Sequence, residues 1–491
     1  MVLAETGVKG LDEILGGGLP SNRLYLIEGD PGAGKTTLAL QFLMSGLRAG
    51  ERVLYITLSE TEEELRDGAA SHGWSLDGMD IFELKAVEQR ALGGDVTLFH
   101  PGEIELGEAM KTLLEEVDRR DPQRVVFDSL SEIRLLAQQP LRFRRQILAM
   151  KHHFAKKRCT VLLLDDRTAE SNDKQILSIA HGAILLEQHA PAYGTERRRV
   201  RISKMRGRSY RGGFHDYAIT AGGLRVFPRL VAATNRVERE ADGERVTSGN
   251  EALDRMLGGG LVRGTSTLVS GPPGSGKSSL VATFAIDTAA RGERAVVYLF
   301  DENPTTFIAR SEALGLEVRR HLEAETLVLR QVDPAELSPG EFVHRVYGEA
   351  EAGARFVAVD SVTGYLNAMP EEKFLVVLLH ELLTYLAQRG TIAFLIAPQH
   401  GFVGALDSSI DISYLADTVI LTRYFEAQGA VHNAISIMKQ RSGAHEKTIR
   451  EFTLGKGGLQ LGPPLEQFHG VLTGSPQFAG STTSLIPRKE P

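Results

Sequence analysis

The chain has 491 residues, of which 42% are hydrophobic and 24% charged, an ordinary globular balance with more length than a single core needs. A formal net charge of -7 argues against a protein whose main work is gripping nucleic acid along a basic surface, and one cysteine excludes an intrachain disulfide framework or a multi-cysteine metal site. The apolar runs are too short to span a membrane and the amino-terminal stretch has no signal-peptide pattern, so a cytoplasmic setting is expected.

The chain opens with TGVKGLDEILGGGLP, in which Leu11, Ile14 and Leu15 form a short helical face ended by Gly16, Gly17 and Gly18. Leu24 to Glu28 reads as a strand. It feeds GDPGAGKTT, made of Gly29, Asp30, Pro31, Gly32, Ala33, Gly34, Lys35, Thr36 and Thr37, which fits the phosphate-cradling P-loop pattern. In such a loop backbone N–H groups wrap the phosphates, the lysine reaches the outer ones, and the hydroxyl of Thr36 faces Mg²⁺. Thr36 to Arg48 is the helix that follows, and Val53 to Leu58 a second strand. Beyond it stands Glu60, a candidate catalytic carboxylate, at the start of an acidic helix that Ser59 or Thr61 caps.

Gly93 to Glu108 reads as a surface loop and Gly107 to Arg120 as an amphipathic helix. RVVFDS then ends an apolar strand in Asp128, where a carboxylate can hold Mg²⁺ beside the P-loop hydroxyl. A helix over Arg142 to Lys157 and strands over Thr160 to Leu164 and Ile184 to Leu186 follow. The basic run Arg197 to Arg206 is either a solvated edge strand or a set of phosphate contacts.

The same pattern returns. Residues 1–231 form the first domain, the polar stretch 232–247 a linker, 248–472 a second domain, and 473–491 a Ser, Thr, Pro and Gly-rich tail. The second P-loop is Gly271, Pro272, Pro273, Gly274, Ser275, Gly276, Lys277, Ser278 and Ser279. Lys35 and Lys277 are 242 residues apart, and the same offset pairs Asp12 with Asp254 and Glu60 with Glu302, so the chain is a tandem duplication. Asp301 and Glu302 occupy the strand-end position of Glu60, and FVAVDS places Asp360 as the second magnesium carboxylate, beside Ser278. Alternation of strands and helices predicts an α/β fold, with a mostly parallel sheet flanked by helices in each domain.

The opening motif, the two P-loops, the FDS and VDS strand ends, KMRG, KQRSGAHEKTIREF and the late GSP together resemble the KaiC family, the double-domain branch of RecA-like ATPases that includes the circadian clock kinase. The resemblance runs from Thr6 to about Pro476. It implies tandem RecA-like P-loop domains, Mg²⁺-dependent ATP hydrolysis, and a two-tiered homohexameric ring with ATP at subunit interfaces. A neighbouring subunit would reach the phosphates with Lys204 and Arg206 in one tier and Lys439 and Arg441 in the other. It also implies serine/threonine autokinase activity in the second domain. Ser413 falls on the family's phosphoacceptor serine and Ser408 on a nearby hydroxyl position, whereas Tyr414 replaces the adjacent threonine. A KaiB-like regulatory partner fits this reading, while the short tail argues against a KaiA-like activator. The alternatives are a non-kinase ATP-driven signalling scaffold and, disfavoured by the net charge, a nucleic-acid-dependent ATPase.

Overall fold

The computed structural model describes residues 2–84, 101–167, 174–191, 194–235, 243–367, 374–399, 412–427, 429–472 and 477–478. Ser408 and most of the tail, including GSP, lie outside the described residues. The chain divides into two compact units, Met1–Arg229 and Leu230–Pro491.

In the first unit β1 (Leu3–Ala4), α1 (Leu11–Ile14) and β2 (Leu19–Pro20) precede β3 (Leu24–Gly29), α2 (Lys35–Arg48), β4 (Val53–Thr57), α3 (Glu62–Ser71) and β5 (Asp80–Glu83). Then come α4 (Pro101–Arg120), β6 (Arg124–Asp128), α5 (Leu130–Ala137), α6 (Pro140–Lys157), β7 (Thr160–Asp166) and α7 (Lys174–Ile179). The antiparallel strands β8 (Gly182–His189), β9 (Arg197–Met205), β10 (His215–Thr220) and β11 (Gly223–Phe227) complete it. Nine strands form one sheet in the order β11-β10-β9-β8-β3-β7-β6-β4-β5, parallel from β8 through β5.

Buried central strands explain the apolar runs. Side chains alternate across a sheet, so Tyr25 and Ile27 of β3 enter one core cluster and Leu24 and Leu26 the other. Both faces are therefore covered, and the loops at the C-terminal strand ends are left to hold a site.

The second unit begins with Leu230 and Ala232 packed in its own core; Ala232 opens a 3-10 helix, Ala232–Asn235, and its N–H donates to Glu381 at 2.8 Å. Its elements are β12 (Arg245–Val246), α8 (Glu251–Met256), β13 (Leu261–Val262), β14 (Ser266–Gly271), α9 (Lys277–Ala290), β15 (Arg294–Leu299), α10 (Pro304–Ala313), α11 (Val318–Glu323) and β16 (Leu327–Gln331). They continue with α12 (Pro339–Glu351), β17 (Ala354–Asp360), α13 (Val362–Asn367), α14 (Leu375–Gln388) and β18 (Ile392–Pro398). The unit ends with β19 (Thr418–Ala427), β20 (Ala430–Gln440), β21 (Arg450–Gly455), β22 (Gly458–Pro464), β23 (Phe468–His469) and β24 (Gln477–Phe478). Its nine-stranded sheet, β16-β15-β17-β18-β14-β19-β20-β21-β22, has the same construction, parallel as far as β19 and antiparallel beyond. Both sheets are mostly parallel and flanked by helices, the fold class that the sequence pattern predicts.

Two local expectations need correction. The stretch taken as a loop to Glu108 is helical from Pro101, because Leu106, Met110, Leu113 and Val117 recur at helical spacing and bury together, and Gly107 does not interrupt them. The arginine-rich β9 is not an edge strand. It lies between β8 and β10, with Val200 and Ile202 buried in the core. None of the described helices is long and apolar enough to cross a membrane.

Candidate nucleotide-binding sites

Each P-loop joins the C-terminal end of a central strand to a helix N-terminus, where free N–H groups and the helix dipole favour an anion. Gly34 and Gly276, the residues before α2 and α9, have φ of 90° and 84°. A Cβ at Gly34 would also come within 2.6 Å of Ile219, so the glycine answers two demands at once.

In the first unit Lys35 Nζ donates to the carbonyls of Gly29 at 2.8 Å and Asp30 at 3.0 Å, and pairs with Asp166 Oδ1 at 2.7 Å. Thr36 Oγ1 donates to Asp128 Oδ2 at 3.2 Å, and the buried Tyr55 hydroxyl donates to the same oxygen at 2.5 Å. Burial pushes the Asp128 carboxyl above the usual range; Tyr55, Thr36 and Lys35 oppose that shift. Asp165, one residue before Asp166, is buried and clamped by both terminal nitrogens of Arg134, at 3.0 and 2.5 Å.

Glu60 follows β4, where the Thr57 hydroxyl accepts its N–H at 3.0 Å and donates to its carbonyl at 2.7 Å. Thr61 and Glu64 form a reciprocal capping box that starts α3 just beyond. The Glu60 side chain lines a cavity of about 320 Å³ with Thr36, Thr37 and His72. Burial, then the charges of Asp128 and Glu64, raise its carboxyl pKa.

The second site repeats the frame with different neighbours. Lys277 Nζ donates to Pro272 O at 2.7 Å, and no carboxylate within ion-pair distance of it is found among the described residues. Burial holds its amine down to about 8, and pushes Asp360 up to about 6 against a hydrogen bond from Ser278. Asp301 accepts a hydrogen bond from Ser361, the residue after Asp360. Glu302 Oε2 takes Arg310 at 2.6 Å, while its Oε1 is buried without a hydrogen-bond partner among the described residues.

The structure brings together Lys35, Thr36, Asp128 and Glu60 in one unit and Lys277, Ser278, Asp360, Asp301 and Glu302 in the other. It does not bring Lys204, Arg206, Lys439, Arg441 or Ser413 to the P-loop of their own unit. Lys204 pairs across from Ala183 near the N-terminal end of β3, and Lys439 across from Val419. Both lysines and both arginines bond carbonyls of the segment that leads into the neighbouring strand, α7 before β8 and the turn before β19: Lys204 to Leu177, Arg206 to Ser178 at 2.7 Å, Lys439 to Ser413 at 3.1 Å, and Arg441 to Tyr414 at 3.1 Å. Sequence reasoning missed Tyr55, Asp166 and Arg310. Asp166 carried a usable signal, since TVLLLDD is another apolar strand ending in carboxylates.

The donor sets fit a magnesium ion. Thr36 with Asp128, and Ser278 with Asp360, each offer one hydroxyl and one carboxylate oxygen beside a phosphate cradle, the sparse hard-oxygen set that Mg²⁺ accepts when phosphates complete it.

A family model described as "ATPase: KaiC" matches residues 4–231 and again 246–466. The chain is similar to "Circadian clock protein KaiC3" of Synechocystis sp., 27% identical over 97% of this chain and 95% of that protein. It is also similar to "Circadian clock oscillator protein KaiC" of Picosynechococcus sp., 26% identical over 96% and 92%, and to the protein of the same name from Parathermosynechococcus lividus, 26% over 96% and 87%. Two copies of the domain, each with a P-loop and a strand-end aspartate in place, and a family match over both make this chain a member of the KaiC family of RecA-like ATPases.

Proposed function

We propose that both units bind and hydrolyse ATP with Mg²⁺ and that the second also transfers phosphate to Ser413. The observation that carries this is the repeated convergence of a P-loop lysine, a hydroxyl–aspartate pair and a strand-end acid at one sheet end. Lys35 and Lys277 hold the outer phosphate oxygens. Thr36 with Asp128 and Ser278 with Asp360 hold the metal, which when bound neutralises phosphate charge. Glu60 orients water and takes its proton. Glu302, whose Oε1 has no hydrogen-bond partner among the described residues, or Asp301 accepts the Ser413 proton as the serine oxygen bonds the γ-phosphorus and ADP leaves.

Ser413 and the Lys439–Arg441 pair lie at the opposite end of the sheet from their own P-loop, as do Lys204 and Arg206. In our reading each serves a nucleotide held by another copy, in a two-tiered homohexamer with ATP between subunits; their distance from their own P-loop is compatible with that. A circadian-clock-type or signalling output, a KaiB-like partner and a cytoplasmic setting complete this reading. Incubation with ATP and Mg²⁺, followed by ADP measurement and phosphosite mapping, tests it. Absence of ADP release overturns the ATPase assignment. Turnover with no phosphate on Ser413 leaves the second reading, a non-kinase ATP-driven scaffold, which the tyrosine at position 414 favours.

A further inference from the structure

The end of the first sheet opposite its P-loop carries a concentration of basic side chains that the described residues of the second unit match only at Lys439 and Arg441. Arg23 immediately precedes β3, Lys151 lies on α6, His181 precedes β8, and Lys204 and Arg206 end β9. Arg23, Lys151 and His181 line a cavity of about 260 Å³ floored by Leu24 and Phe154. Among the described residues none of the four Lys and Arg side chains has a carboxylate partner. Lys151 donates to Ile179 O at 2.8 Å, and Lys204 and Arg206 to Leu177 O and Ser178 O. His181 Nε2 is buried without a hydrogen-bond partner among the described residues. Partial burial, then Arg206 and Arg23, hold the Lys151 amine below its ordinary range, and partial burial, then Arg206 and Lys151, do the same for Lys204.

Carbonyls at the end of the six-residue α7 account for some of these contacts, since a helix C-terminus attracts cations. They carry only partial charge and leave a surplus. The second unit measures that surplus. Its Lys439 and Arg441 make the same carbonyl bonds, but register places Thr265 where Arg23 stands, Leu382 and Leu383 near the place of Lys151, and Asp417 at the place of His181. Asp417 lies 3.6 Å from Arg441 and accepts the Ser266 hydroxyl at 3.0 Å, so that turn has its own anion. The first unit has a cavity and a lone histidine instead.

We propose that Arg23, Lys151 and His181, with Lys204 and Arg206, form a second phosphate-binding face of the first unit, one that takes a phosphoryl group from outside that unit's own P-loop. The unit's own nucleotide cannot supply it. Arg23 and Gly29 stand at the two ends of a strand that rises roughly 3.3 Å per residue, about 20 Å in all. The phosphate comes either from a nucleotide on a second copy, which rests on the reading above and extends its contacts beyond Lys204 and Arg206, or from a free polyphosphate.

The test uses the full chain with both P-loops saturated by a non-hydrolysable ATP analogue and Mg²⁺. Calorimetry with inorganic tripolyphosphate is run beside sedimentation of the analogue-bound protein. Binding of tripolyphosphate that falls at least tenfold in Arg23→Gln/Lys151→Gln, with unchanged mass, identifies the free source. Analogue-dependent self-association that weakens about tenfold in that variant, and that tripolyphosphate dissolves, identifies the second copy. His181→Asp, which imports the second unit's anion, shifts the same readout, and Arg23→Lys/Lys151→Arg retains it, which separates charge from folding. If neither readout moves in the double variant or in His181→Asp, the proposal is overturned. Analogue binding at the P-loops is measured in the same samples. Its loss in the unaltered chain overturns the ATPase reading and leaves the tripolyphosphate titration to decide this one.

Discussion

Lys35 Nζ lies 2.7 Å from Asp166 Oδ1, so the lysine of the first P-loop pairs with a carboxylate as well as two carbonyls, whereas Lys277 bonds the Pro272 carbonyl and has no carboxylate within ion-pair distance among the described residues. The strand registers show why. Asp166 ends β7 opposite Gly29, and the same place on β18 opposite Gly271 is Pro398. A phosphate entering the first site must compete with Asp166 for the lysine, and one entering the second meets no such ion pair among the described residues.

Asp166→Asn is therefore expected to tighten ATP binding at the first site. The Asp166 side chain is 30% exposed, so solvent screens the pair and the gain is about 1 kcal/mol or less, up to about fivefold. Titration with a fluorescent ATP analogue in a Lys277→Ala background isolates the site. Unchanged or weaker binding would show that Asp166 positions the lysine rather than competing for it.

The parts legible in the sequence are those with a local pattern. GDPGAGKTT and GPPGSGKSS announce the P-loops because nine adjacent residues carry the chemistry, and FDS and VDS work because an apolar strand must end where its carboxylate is needed. The duplication follows from matching offsets. Beyond Asp301 beside Glu302, and the carboxylates that end TVLLLDD, what differs between the two sites was not legible, because it depends on residues far apart in sequence. Tyr55 reads as a buried strand residue, and only the sheet brings its hydroxyl to Asp128; the equivalent position in the second unit is Val297. Arg310 reads as a solvated helix residue, and the turn of α10 brings it back onto Glu302. The interior position of β9 was hidden because its arginines imitate a solvated edge, while Val200 and Ile202, with Met205 packed beside them, face the core.

Tyr55→Phe tests the first of these differences. The hydroxyl donates to Asp128 Oδ2 at 2.5 Å and favours the ionised carboxylate against burial. Removing a hydrogen bond to a charged group costs roughly 1.5–3 kcal/mol, so the Mg²⁺ concentration for half-maximal ATP turnover should rise about tenfold or more in a Lys277→Ala background. Excess Mg²⁺ should restore the rate. A loss that excess Mg²⁺ does not restore would assign Tyr55 to packing instead.

Glu60→Gln keeps the shape of the side chain and removes its basicity. Turnover in the same Lys277→Ala background is expected to fall by roughly 10² to 10⁴, with ATP affinity nearly unchanged. Burial with Asp128 and Glu64 raises the Glu60 pKa, so the unsubstituted site should gain rate as pH rises through that shifted carboxylate range. Glu60→Gln should flatten that limb. A rate within a few-fold of the parent at every pH would exclude Glu60 as the base.

His215 gives the first unit a pH-dependent stability that does not involve either nucleotide site. Its ring is buried, Nε2 lies 3.1 Å from Arg211 O, and Nδ1 accepts the Arg229 N–H at 2.8 Å, an arrangement that requires the neutral imidazole. Burial, with Arg211 and Arg229 nearby, holds its pKa down to about 4. The unfolded chain takes up this proton near pH 6.5 and the folded unit only near pH 4, so between those values the unfolded state binds more protons. The contribution is fully present above pH 6.5 and is lost as pH falls through that window, by up to roughly 3 kcal/mol at about 1.4 kcal/mol per pH unit. His215→Gln should lower stability at pH 7.5, where it disturbs the two backbone contacts, yet narrow its deficit relative to the parent by pH 4.5. Urea unfolding of both proteins at the two pH values provides the comparison, and a deficit that stays constant would show that protonation of His215 does not drive the acid loss.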